Sequence, residues 1–416
     1  MLSVSAALAA VIHEVQAGPT ESLDLTSGLS RILAVDLTVP HDSPPFDKAL
    51  MDGFAVCVRG EPAREGSVNP QFFTLPVVET ITAGRVPSVT IHEQLASRIM
   101  TGALLPPGCN CIVPIEETQF DERQPDRVAI PASAMRADAN VMRKGTAAIR
   151  GSALLSAGTR LQPQHIAALA EFGIDSLTVR RQPRVAVLAT GDELIPFQQP
   201  LEPGRIRNSN EPMLIAQVTA SDAVPVSLGI ARDEQSQLQS CIQRGLLQDF
   251  FLLTGGVSAG LLDLVPQELK KAGVRQIFHG VHMKPGKPLW FGTFDSGQHR
   301  CLVFGLPGNP VSSLACFELF VRPALEEFSG RTAASSRLVA FLSASTQVKG
   351  NRPVYQPVAV SVEDGRLSAR PVTWSSSSDL RATVEANGMA LLLPEHGRYS
   401  AGEMVEIRLW GDQRLG

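Results

Sequence analysis

Four short stretches of this chain set small or rigid residues beside polar and charged ones, a pattern suited to holding an oxyanion. In the segment from Cys301 to Leu325 an apolar run passes into Leu306-Pro307-Gly308-Asn309-Pro310 and then into an amphipathic helical pattern. Pro307 and Pro310 fix two φ angles, Gly308 allows close backbone approach to a ligand, and Pro310 suits the first helical position, where no N–H is needed. The amides of that helix start and the hydroxyl of Ser312 or Ser313 are expected to face whatever sits above the strand end, with the positive end of the helix dipole behind them. In Arg184 to Ile195 a β-branched run ends at Gly191 and presents Asp192 and Glu193, and in Asp249 to Val265 another ends at Gly255-Gly256 and presents Ser258 and Asp263. In Val281 to Gly292, Lys284 and Lys287 flank a Pro-Gly turn, so two ammonium groups ride on one stiffened loop.

The elements that must position these residues follow from the same text. Continuous apolar strands alternating with helical patterns imply a parallel sheet covered by helices on both faces. In such a sheet ligands collect in the crevice beyond the carboxyl ends of the strands, which is where the three glycine-bearing corners must lie. The lysine turn is expected near the same edge.

With these motifs in this order, TGDEL, TGGVSAGLLD, MKPGKP and LPGNPVSS, the chain resembles the molybdopterin molybdenumtransferase family, the MoeA-like proteins and the E domain of gephyrin. Further stretches carry the same resemblance: PPFDKALMDGFAV (Pro44 to Val56), ITAGRVP (Ile81 to Pro87), RIMTGALLPPG (Arg98 to Gly108) and the run from Leu154 to Leu194. It extends from near the N-terminus to about Ser329, with a weaker echo at Glu385 to Gly388.

The resemblance implies a reaction in which adenylylated molybdopterin and molybdate are the substrates, the phosphoanhydride is cleaved, AMP leaves, and molybdenum stays on the pterin dithiolene. Molybdate, a small dianion, needs cationic and N–H donors, for which Lys284, Lys287 and Ser258 are the candidates. Cleavage of the phosphoanhydride needs a hard divalent ion, Mg²⁺, held by carboxylates, and Asp263, Glu193 and Asp233 could supply them. The pterin is expected along Pro307, Gly308, Asn309, Pro310 and Ser312 and along Gly255, Gly256 and Ser258. Asp52 and Thr101 are carried over by motif match as site residues. The resemblance places them in a β-rich block that closes over the α/β domain of a second subunit, hence a homodimer. Transient contact with a molybdopterin adenylyltransferase and with molybdoenzyme maturation proteins is implied in the same way.

Each residue also has a plainer reading. Lys284 and Lys287 could be surface lysines around a turn, Asp263 the cap of a helix beginning near Leu264, Glu193 a solvated first-turn residue, Asp233 half of a surface ion pair, and Asp52-Gly53 and Thr101 hairpin chemistry. Two departures from the family pattern stand out. The stretch Gly145-Thr146-Ala147-Ala148 lacks the Gly-Glu-Asp expected there, and Lys48-Ala49 replaces an Asn-Ser pair. Besides the insertase, an adenylyltransferase of molybdopterin and a catalytically impaired, molybdopterin-binding scaffold paralogue therefore remain readings of this sequence. The large N-terminal region favours the insertase over a stand-alone adenylyltransferase, and Ala147 keeps the scaffold open.

Composition is compatible with a large multidomain enzyme. The chain has 416 residues, too many for one ordinary core, and 44% hydrophobic content. A net charge of -4 gives no electrostatic reason to bind nucleic acid or an anionic membrane. Six scattered cysteines without a CxxC pair point to a reducing compartment rather than to a disulfide framework or zinc site. No basic n-region opens the chain and no apolar run is long enough to cross a bilayer, so a cytoplasmic location is expected.

Residues 1–43 read as helical, in SVSAALAAVIHEV and LDLTSGLSRILAVDL; 44–143 as a β-rich block; 144–183 as helix-like again around PQHIAALAEFG, with Gly173 as a stop. The resemblance joins 1–43 and 144–183 into one elongated domain from which the β-rich block protrudes. Residues 184–330 form the doubly wound α/β domain, of the MogA-like molybdopterin-binding type, Thr332 to Ser336 a linker, and 337–416 a small β-barrel or sandwich. Apart from the serine run Ser375 to Ser378 there is no low-complexity tract and no internal repeat.

Overall fold

The computed structural model describes residues 1–59, 72–232, 234–256, 264–331 and 338–411. The predicted site residues Asp233, Ser258 and Asp263 and the linker Thr332 to Ser336 lie outside the described residues. The chain divides into two compact units, one made of residues 1–35, 157–170 and 174–416, the other of 36–156 and 171–173.

The chain opens with helix α1 (Val4–Glu14), capped by the Ser3 side chain, which accepts from Ala6 N, followed by strand β1 (Thr20–Asp24). The helical pattern expected over LDLTSGLSRILAVDL does not form. Instead Leu23 pairs with Leu177 in a distant strand, and a 3-10 turn follows at Leu25–Ser27. Packing decides this: a Cβ at Gly28 would come within 2.6 Å of a Leu177 methyl, and Ser30 takes φ 64, which a helix does not allow.

The second unit holds β2 (Gly53–Val56), β3 (Phe72–Ile81), β4 (Ala96–Ile99), β5 (Cys111–Pro114) and β6 (Arg127–Pro131) in one five-stranded sheet, ordered β5-β2-β4-β3-β6. Alternation along β2 sends Phe54 and Val56 to one apolar cluster and Ala55 to another. Helix α2 (Pro163–Glu171) ends ahead of Gly173, whose φ of 69 suits a helix stop. Strand β7 (Ser176–Arg180) then pairs antiparallel with β1.

In the larger unit, β8 (Arg184–Thr190), β9 (Val224–Ala231), β10 (Phe250–Thr254), β11 (Arg275–His279), β12 (Trp290–Asp295) and β13 (Arg300–Leu306) form a six-stranded sheet ordered β9-β8-β10-β13-β12-β11. The first four in that order are mutually parallel, and β12 runs antiparallel to both β13 and β11. The central strands β8, β10 and β13 are almost continuously apolar and buried because both faces are covered, whereas the edge strand β11 carries exposed Arg275, Gln276 and His279. Val185, Val187, Phe250, Leu252, Leu302 and Phe304 pack on the face carrying α1, α3 (Asn210–Thr219) and the C-terminal helices, while Ala186, Leu188, Phe251, Leu253, Cys301 and Val303 pack against α4 (Gln235–Gly245) and α5 (Leu264–Lys271). This is the doubly wound α/β arrangement expected. After β13 come α6 (Pro310–Cys316), one π-helical turn at Phe317–Val321, and α7 (Arg322–Phe328).

The C-terminal segment closes into a five-stranded barrel of β14 (Leu338–Leu342), β15 (Val354–Glu363), β16 (Arg366–Pro371), β17 (Gly388–Leu392) and β18 (Met404–Leu409), with Ala340, Val358, Ala369, Ala390 and Ile407 inside. Among the described residues no helix is long and apolar enough to cross a membrane.

Candidate active site

The three glycine corners leave one edge of the sheet side by side. In the parallel pairing Ala189 of β8 sits opposite Thr254 of β10, and Thr254 opposite Leu306 of β13, so Gly191, Gly255 and Pro307 all follow strand ends on the same rim. Gly191 N donates to Ala231 O at 3.3 Å, and Gly255 N to Leu306 O at 3.4 Å. At Gly255 (φ 86) a Cβ would stand 2.3 Å from Thr190 O, so the protein's own backbone excludes any side chain there. Gly308 differs: its nearest neighbour for an added Cβ is Gly255 Cα at 3.7 Å, an ordinary contact. The second and third corners therefore touch, and the protein's own packing leaves room for a side chain at Gly308.

Pro310 is the first residue of α6, as expected, and Asn309 is its N-cap. The expectation that the helix-start amides and either serine face a ligand holds only in part, because internal partners take several of these groups. Ser313 Oγ donates to Pro307 O, and Val311 N donates to Ser377 O at 3.1 Å. Ser312 is buried in the first turn. Asn309 Nδ2 donates to Ser377 Oγ at 2.7 Å, and Asn309 Oδ1 accepts from Ser378 Oγ at 3.2 Å. Asn210, at the start of α3, donates through Nδ2 to Gly308 O at 2.7 Å, while its Oδ1 is buried with no hydrogen-bond partner among the described residues. A buried acceptor left open beside a bare glycine is what a site for an N–H-bearing ligand requires.

The lysine turn joins β11 to β12, and Trp290 at the start of β12 pairs with Gly305 at the end of β13. The turn therefore emerges at the rim that carries the glycine corners. Gly286 (φ 106) lies where a Cβ would meet Cys316 Sγ of α6 at 2.7 Å, which seats the turn on the helix that follows Asn309. Lys284 is bound into the C-terminal barrel by its main chain: its N donates to Pro353 O at 2.9 Å and its O accepts from Tyr355 N at 2.8 Å. Its Nζ lies 6.0 Å from the centroid of the Trp374 ring. Lys287 is exposed. Among the described residues neither ammonium takes part in a salt bridge or hydrogen bond. Arg352 adds a third cation to this loop, with Nη1 donating to Met283 O at 3.0 Å. Asn210, Arg352, Trp374, Ser377 and Ser378 were not anticipated from the sequence; the only signal was the serine run after Trp374, which carries no periodicity.

Glu193 is exposed, and its carboxylate curls over Gly191, so that a Cβ at Gly191 would stand 2.5 Å from Glu193 Oε2. Among the described residues no group of three or more His, Cys, Asp or Glu could hold a metal. A hard oxygen donor at a crevice corner fits an ion such as Mg²⁺, which keeps waters and substrate oxygens and takes only one or two carboxylates from the protein. A cavity of about 620 Å³ opens beside this corner, lined by Leu194, Ile195, Phe197, Asn208, Ile215 and Arg232 among others. None of the predicted site residues that the structure describes lines it, and the cluster of corners and lysines defines the candidate site better than this cavity does.

In the second unit, Asp52 and Thr101 form one structure. Asp52 Oδ1 accepts from both Thr101 N and Thr101 Oγ1, each at 2.7 Å. The flanking turns are stitched together by Gly102 N to Ala49 O at 2.8 Å and Ala49 N to Ala103 O at 3.0 Å. A Cβ at Gly53 would stand 2.0 Å from Val113 O, so only glycine lets β2 lie this close to β5. The Thr101 hydroxyl and amide, and more weakly Arg98, hold the Asp52 carboxyl below the usual carboxylate range.

Comparison with known proteins extends over the whole chain. The MoeA N-terminal region (domains I and II) matches residues 2–173, the "Probable molybdopterin binding domain" 186–327, and the MoeA C-terminal region (domain IV) 340–410. The molybdopterin molybdenumtransferase of Bacillus subtilis is 36% identical over 413 residues, covering 98% of this chain and 94% of that one. That of Synechococcus elongatus is 32% identical over 427 residues, covering 98% and 99%. Two crystal structures of the molybdopterin biosynthesis MoeA protein from Pyrococcus horikoshii superpose with TM-scores of 0.82 and 0.81 at 28% and 26% identity, over 99% of this chain and 100% of theirs.

Proposed function

The chain belongs to the molybdopterin molybdenumtransferase (MoeA) family, transferases of molybdenum cofactor biosynthesis, and from that premise we propose that it uses Mg²⁺ to insert molybdate into adenylylated molybdopterin with release of AMP. The observation that carries this reading is the convergence of three glycine corners and the lysine turn on one rim of the sheet.

In this reading Lys284, Lys287 and Ser258 bind molybdate. The two ammonium groups supply charge that no carboxylate among the described residues offsets, and the half-buried place of Lys284 beside the barrel raises the worth of its charge over that of a solvated lysine. The pterin lies along Pro307 to Pro310, Ser312 and the Gly255-Gly256 corner, where bare backbone allows close approach, and Asn210 Oδ1 accepts one of its N–H groups. Glu193 and Asp263, with Asp233 as a further candidate, hold Mg²⁺. That ion, when bound, spreads the negative charge developing on the phosphoryl oxygens. Catalysis is then positioning plus electrostatic stabilisation rather than covalent chemistry. Asp52 stays ionised through its bonds to Thr101 and serves as a fixed anion in the second unit. A cytoplasmic homodimer, with passing contact to a molybdopterin adenylyltransferase and to molybdoenzyme maturation proteins, completes the proposal.

One observation favours a second reading. Ala147 is exposed, its N donating to Ser43 O at 2.9 Å, and brings no carboxylate where the family pattern has one. A molybdopterin-binding scaffold of low turnover would be compatible with that. The test supplies purified protein with adenylylated molybdopterin, molybdate and Mg²⁺ and measures AMP and molybdenum cofactor, beside Asp263→Ala and Ala147→Asp. The insertase reading expects release by the wild type, its loss in Asp263→Ala, and unchanged or higher release in Ala147→Asp. Tight pterin binding without AMP release supports the scaffold instead, and full activity in Asp263→Ala removes that residue from the metal site.

A further inference from the structure

Trp374 follows β16 in the C-terminal barrel, packs against the barrel core and is only half-buried. Its orientation is locked from behind. The indole Nε1 donates to Gln356 Oε1 at 3.0 Å, and Gln356, itself buried, spends its amide hydrogens on Val372 O at 2.7 Å and Pro357 O at 3.1 Å. The face so fixed has the Lys284 ammonium 6.0 Å from its centroid, within the range at which a cation is drawn to an aromatic quadrupole. The Lys284 backbone is already bonded to Pro353 and Tyr355 of the same barrel, so stem and head of this lysine are both held by one rigid element. A lysine side chain otherwise has several rotamers to lose on gripping a ligand, and holding it in advance lowers that cost.

We propose that Trp374 is a positioning residue for oxyanion binding: its indole face pre-places the Lys284 ammonium at the rim where molybdate is captured. The proposal rests on the reading of Lys284 as a molybdate ligand and adds to it the residue that sets where the charge sits. Trp374 touches no reacting atom in this account. Its effect is on affinity for the oxyanion and not on the chemical step.

The test measures AMP release by the full-length protein against molybdate concentration at saturating adenylylated molybdopterin and Mg²⁺, for Lys284→Met, Trp374→Leu, Trp374→Phe and the double variant Lys284→Met/Trp374→Leu, with thermal melting as the check on folding. Trp374→Leu is expected to raise the molybdate KM by roughly fivefold with kcat changed by less than about twofold. Trp374→Phe keeps a ring face but loses the bond to Gln356, and is expected to retain most of the affinity. The double variant should be no worse than Lys284→Met alone, because the two residues act as a unit. A molybdate KM unchanged in Trp374→Leu while Lys284→Met raises it, or losses that multiply in the double variant, would overturn the positioning role and leave the function standing. A Lys284→Met protein with wild-type molybdate dependence would overturn both. Should Trp374→Leu fail to fold, a Trp374→Phe protein as weak toward molybdate as Lys284→Met would count against the ring face.

Discussion

Asn309 Nδ2 donates to Ser377 Oγ at 2.7 Å, a bond between residues 68 positions apart that ties the last loop of the α/β domain to the C-terminal barrel. A second bond, from Ser378 Oγ to Asn309 Oδ1, uses the other end of the same amide. The barrel thus sets the position of the N-cap residue of α6, whose side chain makes no capping bond of its own.

Removing this link should harm activity more than stability. Ser377→Ala takes away one side-chain bond and Asn309→Ala both, at about 1 kcal/mol per bond. Displacement of the corner is expected to lower the rate of AMP release by roughly tenfold or more, and more in Asn309→Ala than in Ser377→Ala. Urea unfolding alongside steady-state assays separates the two effects.

Gly255→Ala should be the most damaging single-atom-scale change at the rim. The new Cβ would meet Thr190 O at 2.3 Å in a backbone conformation (φ 86) disfavoured for alanine. A loss of about 2 kcal/mol or more is expected, read from the urea midpoint. Gly308→Ala, where the added Cβ finds only Gly255 Cα at 3.7 Å, should leave stability within about 0.5 kcal/mol and weaken pterin binding.

Glu318 is 1% exposed in the π-helical turn after α6. Its carboxylate accepts from Gln217 Nε2 at 2.8 Å and from Arg322 Nε at 2.6 Å and Nη2 at 3.0 Å, and its backbone O accepts from Arg408 Nη1 at 3.2 Å. The buried carboxylate therefore binds α3 and α7, and the Glu318 backbone carbonyl takes hold of the end of the barrel. Glu318→Ala takes from Arg322 the carboxylate it bonds through Nε and Nη2, leaving Ser221 Oγ at 2.8 Å from Nη1, and should cost about 3 kcal/mol, measured by chemical denaturation.

The Asp52 carboxyl titrates below its ordinary value because Thr101 donates to its charged form through hydroxyl and amide. A lowered folded-state pKa contributes stability that is present above the unfolded value, near 3.9, and is lost as pH falls through the folded one. Thr101→Val removes the hydroxyl donor, so the Asp52 pKa should rise toward normal in a carboxyl-detected NMR titration. The variant's stability deficit relative to wild type should be present at pH 7 and shrink as the pH drops below about 4.

All six cysteines are buried, and burial pushes the Cys109 and Cys111 thiols up to about 11. At pH 8 the native protein should therefore react with Ellman's reagent at less than about one thiol per chain, and the denatured protein at six. Rapid native labelling of Cys109 or Cys111 would contradict the packing of the second unit.

Local text fixed those features that arise from neighbours in the chain. An apolar run such as Val185 to Ala189 must be a strand covered on both faces, Gly191 and Gly255 end strands because only glycine takes their φ values without strain, and Pro310 starts a helix. Parallel pairing then leaves the three corners no place but one rim, so the candidate site was legible before any coordinates. Tertiary structure decided the rest. Leu23 reads as one position in a helical repeat, yet it lies in a strand because Leu177, far along the chain, offers a better burial partner than a local turn. The serines after Trp374 look like a spacer, and only closure of the barrel delivers Ser377 to Asn309 and the indole to Lys284. Such contacts carry no sequence period, since the two partners belong to different elements and meet by geometry that no short window of residues encodes.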